Sequence, residues 1–140
     1  MAIDQYGNIA VATSTGGRTG KLPGRIGDTA IIGSGTYCDN NFGGVSTTGD
    51  GDTIMRACLA YDIIKRIEYL KEDAQKATEN SCKSMTDRLV GTGGAITIDN
   101  NGNVGISFTS KAMAWAFQKN DKLFYGIEEG DFNEEIVVNN

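Results

Sequence analysis

The sequence predicts an α+β fold, and three observations carry that prediction. Glycine is abundant, 19 in 140 residues, and unevenly placed: twelve lie between Gly7 and Gly51, none from Asp52 to Val90, and seven between Gly91 and Gly130. An interior glycine costs a helix roughly 1 kcal/mol relative to alanine, so the glycine-free stretch is where helices belong. Apolar residues in that stretch recur at helical spacing, whereas the flanks carry short β-branched runs bounded by turn residues. Strands, then helices, then strands is the order of α+β layering rather than of alternating βαβ units. The expected layout is a single domain over 1–140, with strands over 2–51, two helices over about 52–90, strands over 94–127 and an acidic tail over 128–140.

Taken in order, Ile9–Ser14, Ala30–Tyr37 and Gly44–Thr48 read as strands, being β-branched or small and closed by turn residues. Two segments echo each other: Ala2-Ile3-Asp4-Gln5-Tyr6-Gly7-Asn8-Ile9 and Thr97-Ile98-Asp99-Asn100-Asn101-Gly102-Asn103-Val104. Both read as hairpins with an Asp-led turn and a glycine for positive φ, and convergence of similar turns accounts for the likeness. Ala60, Ile63, Ile64, Ile67 and Leu70 form one face of a first helix, with Asp52 expected as its N-cap. Arg56, Asp62, Lys65, Arg66 and Glu68 take much of the rest of its surface. A second helix is expected from Glu72-Asp73, acids at its positive end, with a small-residue face of Ala74, Ala77, Ser81, Met85 and Leu89. It should end before Gly91. A further strand is expected over Leu123–Ile127, and the acidic tail carries no pattern of its own.

Composition excludes several function classes. Thirteen Lys and Arg against 18 Asp and Glu give a net charge of −5, and there is no basic run of the kind nucleic-acid binders carry. The apolar runs are too short for a membrane-spanning helix, and Met1–Asp4 lacks the features of a signal peptide. Cys38, Cys58 and Cys82 are odd in number and widely spaced, which predicts reduced thiols and a cytoplasmic setting. The chain has no histidine. That removes Ser-His-Asp and Cys-His catalysis, argues against an ordinary zinc site, and leaves an expectation of no metal and no cofactor.

Three segments could carry chemistry. In Ala12-Thr13-Ser14-Thr15-Gly16-Gly17, a run of hydroxyls meets a glycine pair. It suits a nucleophile or a polar substrate, but capping of the following turn explains the hydroxyls as well and is preferred on pattern alone. In Pro23-Gly24-Arg25-Ile26-Gly27-Asp28, opposite charges share one tight loop. They suit the zwitterionic end of an amino acid, guanidinium to carboxylate and carboxylate to ammonium; a surface salt bridge is the simpler alternative. In Val45-Ser46-Thr47-Thr48-Gly49-Asp50-Gly51-Asp52, a strand turns through glycine into a helix. A Thr hydroxyl beside the Gly49 N–H would make an oxyanion hole, and converging backbone N–H groups would make an anion nest. The spacing fits neither a phosphate loop nor a calcium loop, and a capped helix after a glycine turn explains the same residues.

Together the three are more specific than any one. Thr13-Ser14-Thr15-Gly16-Gly17, Leu22-Pro23-Gly24-Arg25-Ile26-Gly27-Asp28, Ile32-Gly33-Ser34-Gly35-Thr36-Tyr37-Cys38-Asp39-Asn40 and Ser46–Asp52 follow in order, then Gly93-Gly94, Thr109–Trp115 and Phe124–Ile127. This series resembles the β subunit of plant-type L-asparaginase/isoaspartyl peptidases, which are N-terminal-nucleophile hydrolases, over all but the last dozen or so residues. The related glycosylasparaginases share the Gly49-Asp50-Gly51-Asp52 wording but diverge after the helices.

The resemblance implies one half of a four-layer αββα sandwich, with an α-subunit-like half and a second αβ unit as partners. It implies hydrolysis of asparagine or β-aspartyl dipeptides by a threonine whose own terminal amine is the base, which needs no histidine. Thr15 would orient that nucleophile, Arg25 hold the substrate α-carboxylate and Asp28 its α-amino group. Thr48 and Gly49 would stabilise the oxyanion, and the Gly51 carbonyl would accept from the ammonium. Met1 falls just downstream of the position matching the nucleophile, and Asp50 stands where many relatives carry another polar residue. This chain alone is therefore expected to be inactive. The alternatives are a non-catalytic pseudoenzyme that keeps the pocket as an amino-acid-binding or interaction module, and a glycosylasparaginase-like amidohydrolase.

Overall fold

The computed structural model describes residues 1–137. Two units emerge, Met1–Thr109 and a smaller one from Ser110 onward.

The larger unit opens with the short hairpin β1 (Ala2–Ile3) and β2 (Ile9–Ala10), followed by an irregular segment and a 3₁₀ turn at Asp28–Ala30. A four-stranded antiparallel sheet is then built from β3 (Thr36–Asp39), β4 (Gly43–Gly49), β5 (Gly93–Asp99) and β6 (Val104–Phe108), side by side in that order. Between β4 and β5 the chain makes α1 (Gly51–Ala57), α2 (Leu59–Lys65), a π turn at Arg66–Leu70 and α3 (Ala74–Leu89). The smaller unit is an antiparallel meander of β7 (Trp115–Lys119), β8 (Lys122–Gly126) and β9 (Asn133–Ile136). The mixed helix and sheet content agrees with the α+β expectation.

The helices pack on one face of the four-stranded sheet. Val45 and Ala95 on that face meet Ile54, Leu59, Ala60, Ile63, Ile64, Ala77, Cys82 and Met85 in one fully buried cluster. Each large aliphatic side chain there contributes on the order of 1.5–3 kcal/mol by leaving water. One polar seam crosses the core: Thr78 Oγ1 donates to the Ala74 carbonyl at 2.6 Å and lies 2.7 Å from Thr97 Oγ1, so both buried hydroxyls are paired. The small-residue face of α3 allows its close approach. A side chain at Gly105 of β6 would put Cβ 2.3 Å from the Ala74 carbonyl oxygen.

The opposite face of this sheet carries Ile96, Ile98, Val104, Ile106 and Phe108, all only half-buried. Within this unit its one covering is the β1–β2 hairpin, whose Ile9 and neighbouring Val11 sit over Gly44, within 2.8 and 2.9 Å of where a Cβ would be. The outer edge of β6 is blunted by Gln75, which accepts from the Ile106 N–H and donates to its carbonyl at 2.8 Å each.

The echoing hairpins share one turn. Asp4 Oδ1 accepts from the Tyr6 and Asn8 N–H groups and Asp4 Oδ2 from the Asn8 amide; Asp99 does the same with Asn101 and Asn103. Gly7 and Gly102 supply the positive φ, at 84° and 76°. Bonds from Asn8, first from its side chain, hold the Asp4 carboxyl below the ordinary carboxylate range.

Several boundaries differ from expectation. The segment expected as strand over Ile9–Ser14 pairs only at Ile9–Ala10, and that over Ala30–Tyr37 is strand only from Thr36, with a single isolated bridge at Ile32, because the residues between are drawn into loop and 3₁₀ conformations. The first helix breaks at Cys58, which is left-handed (φ 48°), and its last turn widens into the π turn, so Leu70 swings out to 61% exposure. The N-cap position belongs to Asp50, not Asp52. The second helix starts next to Glu72-Asp73 as expected, and Asp73 caps it, accepting from the Lys76 N–H at 2.8 Å. Part of the acidic tail is ordered as β9, held by Lys122–Glu134 and by Tyr125 Oη donating to Glu135 at 2.6 Å, while residues 138–140 lie outside the described residues.

All three cysteines are free, but their surroundings separate them. Burial pushes the Cys82 thiol up to about 12, while Cys58 is exposed. Very little Cys82 thiolate therefore exists at pH 8. Iodoacetamide at that pH should alkylate Cys58 in the native protein and Cys82 only after denaturation, read by peptide mass; native labelling of Cys82 would contradict this packing.

Candidate functional site

The site forms where three chain segments meet at one end of β4. The first follows β2. Thr15 Oγ1 accepts from the Gly17 N–H at 2.9 Å, and Gly17 turns with φ 80°. Of the three hydroxyls, Thr15 thus has the turn-capping role. The turn also holds Thr15, Gly17 and Arg18 along the wall of a cavity of about 340 Å³.

The second segment brings in Arg25 and Asp28. Both line the same cavity, but they do not pair with each other. Arg25 Nη2 instead contacts Asp52 Oδ1 at 3.1 Å, with side-chain exposures of 20% and 53%. Such a partly exposed pair contributes little to stability. Its effect is positional: it fixes the guanidinium beside Gly27 and Gly51 while leaving most of its donors free. Asp28 is 91% buried, as its 9% exposure implies, and its carboxylate receives no hydrogen bond from any described side chain or backbone group. The carboxylate oxygens themselves open onto the cavity, and a carboxylate that faces a cavity without a protein donor is placed to take a cationic ligand.

The third segment is the end of β4. Alternation along the strand turns Val45 and Thr47 inward, Thr47 bonding to the Ser34 and Gly35 carbonyls, and Thr48 outward, while Gly49 is exposed because the strand ends there. Gly49 (φ 130°) and Gly93 are cross-strand partners, and a Cβ on Gly49 would lie 2.4 Å from Gly93 Cα. Gly51 opens α1 with equally little room. A Cβ there would be 2.6 Å from Asp28 Oδ1 and 3.3 Å from Arg25 Nη2. Glycine at position 51 is therefore what lets these two charged groups converge on the helix start.

A second cavity of about 350 Å³ adjoins the first, lined by Thr13, Ser14, Ser46, Thr48 and others. Thr15, Asp28 and Gly49 border both. The structure therefore gathers Thr15, Arg25, Asp28, Thr48, Gly49 and Gly51 around one compound depression: charged at the Arg25–Asp28 end, hydroxyl-rich at the Thr48 end. Sequence reasoning missed Arg18 as a wall residue, since nothing in its neighbourhood marks it except position one residue beyond a glycine turn. Asp50 also lines the first cavity, and its side chain makes no capping bond to α1.

A match to the family model described as Asparaginase spans residues 1–127. The chain belongs to the plant-type L-asparaginase/isoaspartyl peptidase family. It is 58% identical over 128 residues to a probable isoaspartyl peptidase/L-asparaginase of Drosophila pseudoobscura pseudoobscura, covering 91% of this chain and 39% of that one. The isoaspartyl peptidase/L-asparaginase of Xenopus laevis is 46% identical over 133 residues, 95% of this chain and 43% of the relative. The isoaspartyl peptidase of Salmonella typhimurium is 43% identical over 119 residues, 84% and 38% respectively. The chain thus spans about two fifths of the length of the curated relatives it matches.

The Gly49–Gly93 approach predicts that Gly49→Ala, which adds a methyl against backbone at a strained φ, destabilises the protein by about 1–3 kcal/mol. A urea unfolding midpoint unchanged from wild type would contradict it.

Proposed function

We propose that residues 1–140 form the substrate-holding part of an amidohydrolase that cleaves the side-chain amide of asparagine or the isopeptide bond of β-aspartyl dipeptides. The observation that carries this reading is the Arg25–Asp28 arrangement: a guanidinium held by Asp52 and, on the same cavity, a carboxylate that takes no hydrogen bond from a described residue. That is the charge pattern of a free α-amino acid end, carboxylate to Arg25 and ammonium to Asp28, with the Gly51 carbonyl as a second acceptor for the ammonium. With the α end so placed, the β-carbonyl reaches toward Thr48 and Gly49, whose hydroxyl and N–H stabilise its oxygen as it becomes an oxyanion.

The attacking hydroxyl belongs to a threonine outside these 140 residues, oriented by Thr15. Its Oγ bonds to the amide carbon, and its proton passes through its own terminal amine to the departing nitrogen as the C–N bond breaks. Water then attacks the resulting ester, releasing aspartate and restoring the threonine. The half-buried face of Ile96, Ile98, Val104, Ile106 and Phe108, with helices only on the other side, supports a second sheet from an α-subunit-like half as its cover, giving the αββα sandwich, with a further αβ unit as partner. Relatives named as isoaspartyl peptidase/L-asparaginase support this reading over a glycosylasparaginase.

Two outcomes test the assignment. Titration calorimetry of the 140-residue chain with L-aspartate should give a saturable heat that Arg25→Ala abolishes and Asp28→Asn weakens at least tenfold; equal heats for all three proteins would count against the pocket. The same purified chain should release no ammonia from L-asparagine, and measurable release would overturn the claim that the nucleophile comes from elsewhere.

A further inference from the structure

The proposed pocket carries one more cation than an amino acid needs. Four charged side chains line the cavity: Arg18, Arg25, Asp28 and Asp50. Arg25 and Asp28 suffice for one α-carboxylate and one α-ammonium. Arg18 forms no ion pair with any described residue, and the cavity's other free acid, Asp50, lies beyond the 4 Å of an ion pair from it. An unpaired guanidinium on a cavity wall offers a planar fork for a second carboxylate.

Its place in the chain says which carboxylate. Arg18 follows directly on the Thr15–Gly17 turn and lines the first cavity together with Thr15 and Gly49, the two residues that also border the hydroxyl-rich cavity, although Arg18 itself does not reach that second cavity. Arg25 and Asp28 converge around Gly51, Asp28 bordering the hydroxyl-rich cavity as well. Thr15 is next to the reacting carbonyl in the proposed pose, so a leaving group that departs along the Thr15 turn passes Arg18. Ammonia leaving from asparagine carries nothing for a guanidinium to hold. The amino acid leaving from a β-aspartyl dipeptide carries its own α-carboxylate.

We infer that Arg18 is a specificity-determining residue that binds the C-terminal carboxylate of β-aspartyl dipeptides and so favours them over asparagine. This rests on the Arg25–Asp28 assignment above. Arg18 makes no contact with the reacting atoms, and its side chain is exposed on a loop, so its replacement leaves the fold intact.

The test compares three ligands of the 140-residue chain by calorimetry: L-asparagine, β-aspartyl-glycine, and β-aspartyl-glycine with its C-terminus amidated. Wild type should bind the free dipeptide about tenfold more tightly than the amidated one, and Arg18→Met should reduce that ratio to about one, with Arg18→Lys between. A wild-type ratio of one would overturn the inference, as would a ratio that survives Arg18→Met or a loss in Arg18→Met shared equally by asparagine and the dipeptide. The last result would place Arg18 on the α-carboxylate. Should asparagine bind independently of Arg25, the underlying pocket assignment fails as well, so the two failures are distinguishable. Asp50→Asn gives a further arm: if Arg18 only offsets the Asp50 charge, the double variant Arg18→Met/Asp50→Asn would regain the tenfold preference, and the inference falls.

Discussion

Gly49 against Gly93 is the contact from which the site is organised. The two strands β4 and β5 run in register through seven pairs and end on this glycine couple, where any Cβ would strike backbone. The chain turns there with the Asp50 N–H donating to the Thr92 carbonyl at 2.8 Å, and α1 begins at once. Because β4 ends at that point, Thr48 and Gly49 are left at an open sheet end. Because α1 starts at Gly51, the Asp28 carboxylate and the Arg25 guanidinium can both approach its first residue. A shift of one residue in this register would turn Thr48 inward and expose Thr47, breaking the bonds of Thr47 Oγ1 to the Ser34 and Gly35 carbonyls.

The core that holds this arrangement is one-sided. Helices α1 to α3 seal one face of the sheet with a cluster of aliphatic side chains, and the Thr78–Thr97 hydroxyl pair ties α3 to β5 at its centre. The site lies away from that seal, at a strand end and on irregular segments whose turns are set by glycine and by Asp and Thr side chains bonding to nearby N–H groups. This division is common physical logic: rigid packing fixes the position of loops that carry polar groups. It also explains why the loop charges are sparsely paired. Arg25 has a partner that fixes it without using up its donors, and Asp28 has none, which leaves both available to a ligand.

Much of this was legible in the residue order. Helical spacing found Ala60, Ile63 and Ile64, all fully buried, and the small-residue face of α3; the shared Asp-x-x-Gly-Asn turn found both hairpins. The motif series also named Thr15, Arg25, Asp28, Gly49 and Gly51, which line the first cavity, but not Arg18. What it misjudged were partners and boundaries. Asp52 reads as an N-cap because it precedes the apolar run, but Asp50 takes that position, and Asp52, one residue into the helix, is free to pair with Arg25. Leu70 fits the helical period on paper, yet the left-handed Cys58 and the π turn shift its phase. The tail reads as unstructured from its acids, but Glu134 and Glu135 find Lys122 and Tyr125 across the strand.

The sequence by itself determined the helical region, the α+β order and most of the residues gathered at the pocket, because these follow from local periodicity, turn chemistry and a motif series. Only the tertiary structure decided which charges face one another and which stay unpaired. Arg25 lies three residues from Asp28 and 27 from Asp52, and it pairs with the distant one. Arg18 becomes a wall residue only when the glycine turn is folded over the end of β4. Charge pairing depends on distances of a few ångströms between segments remote in sequence, and those distances are set by the packing of strand, turn and helix rather than by any local pattern.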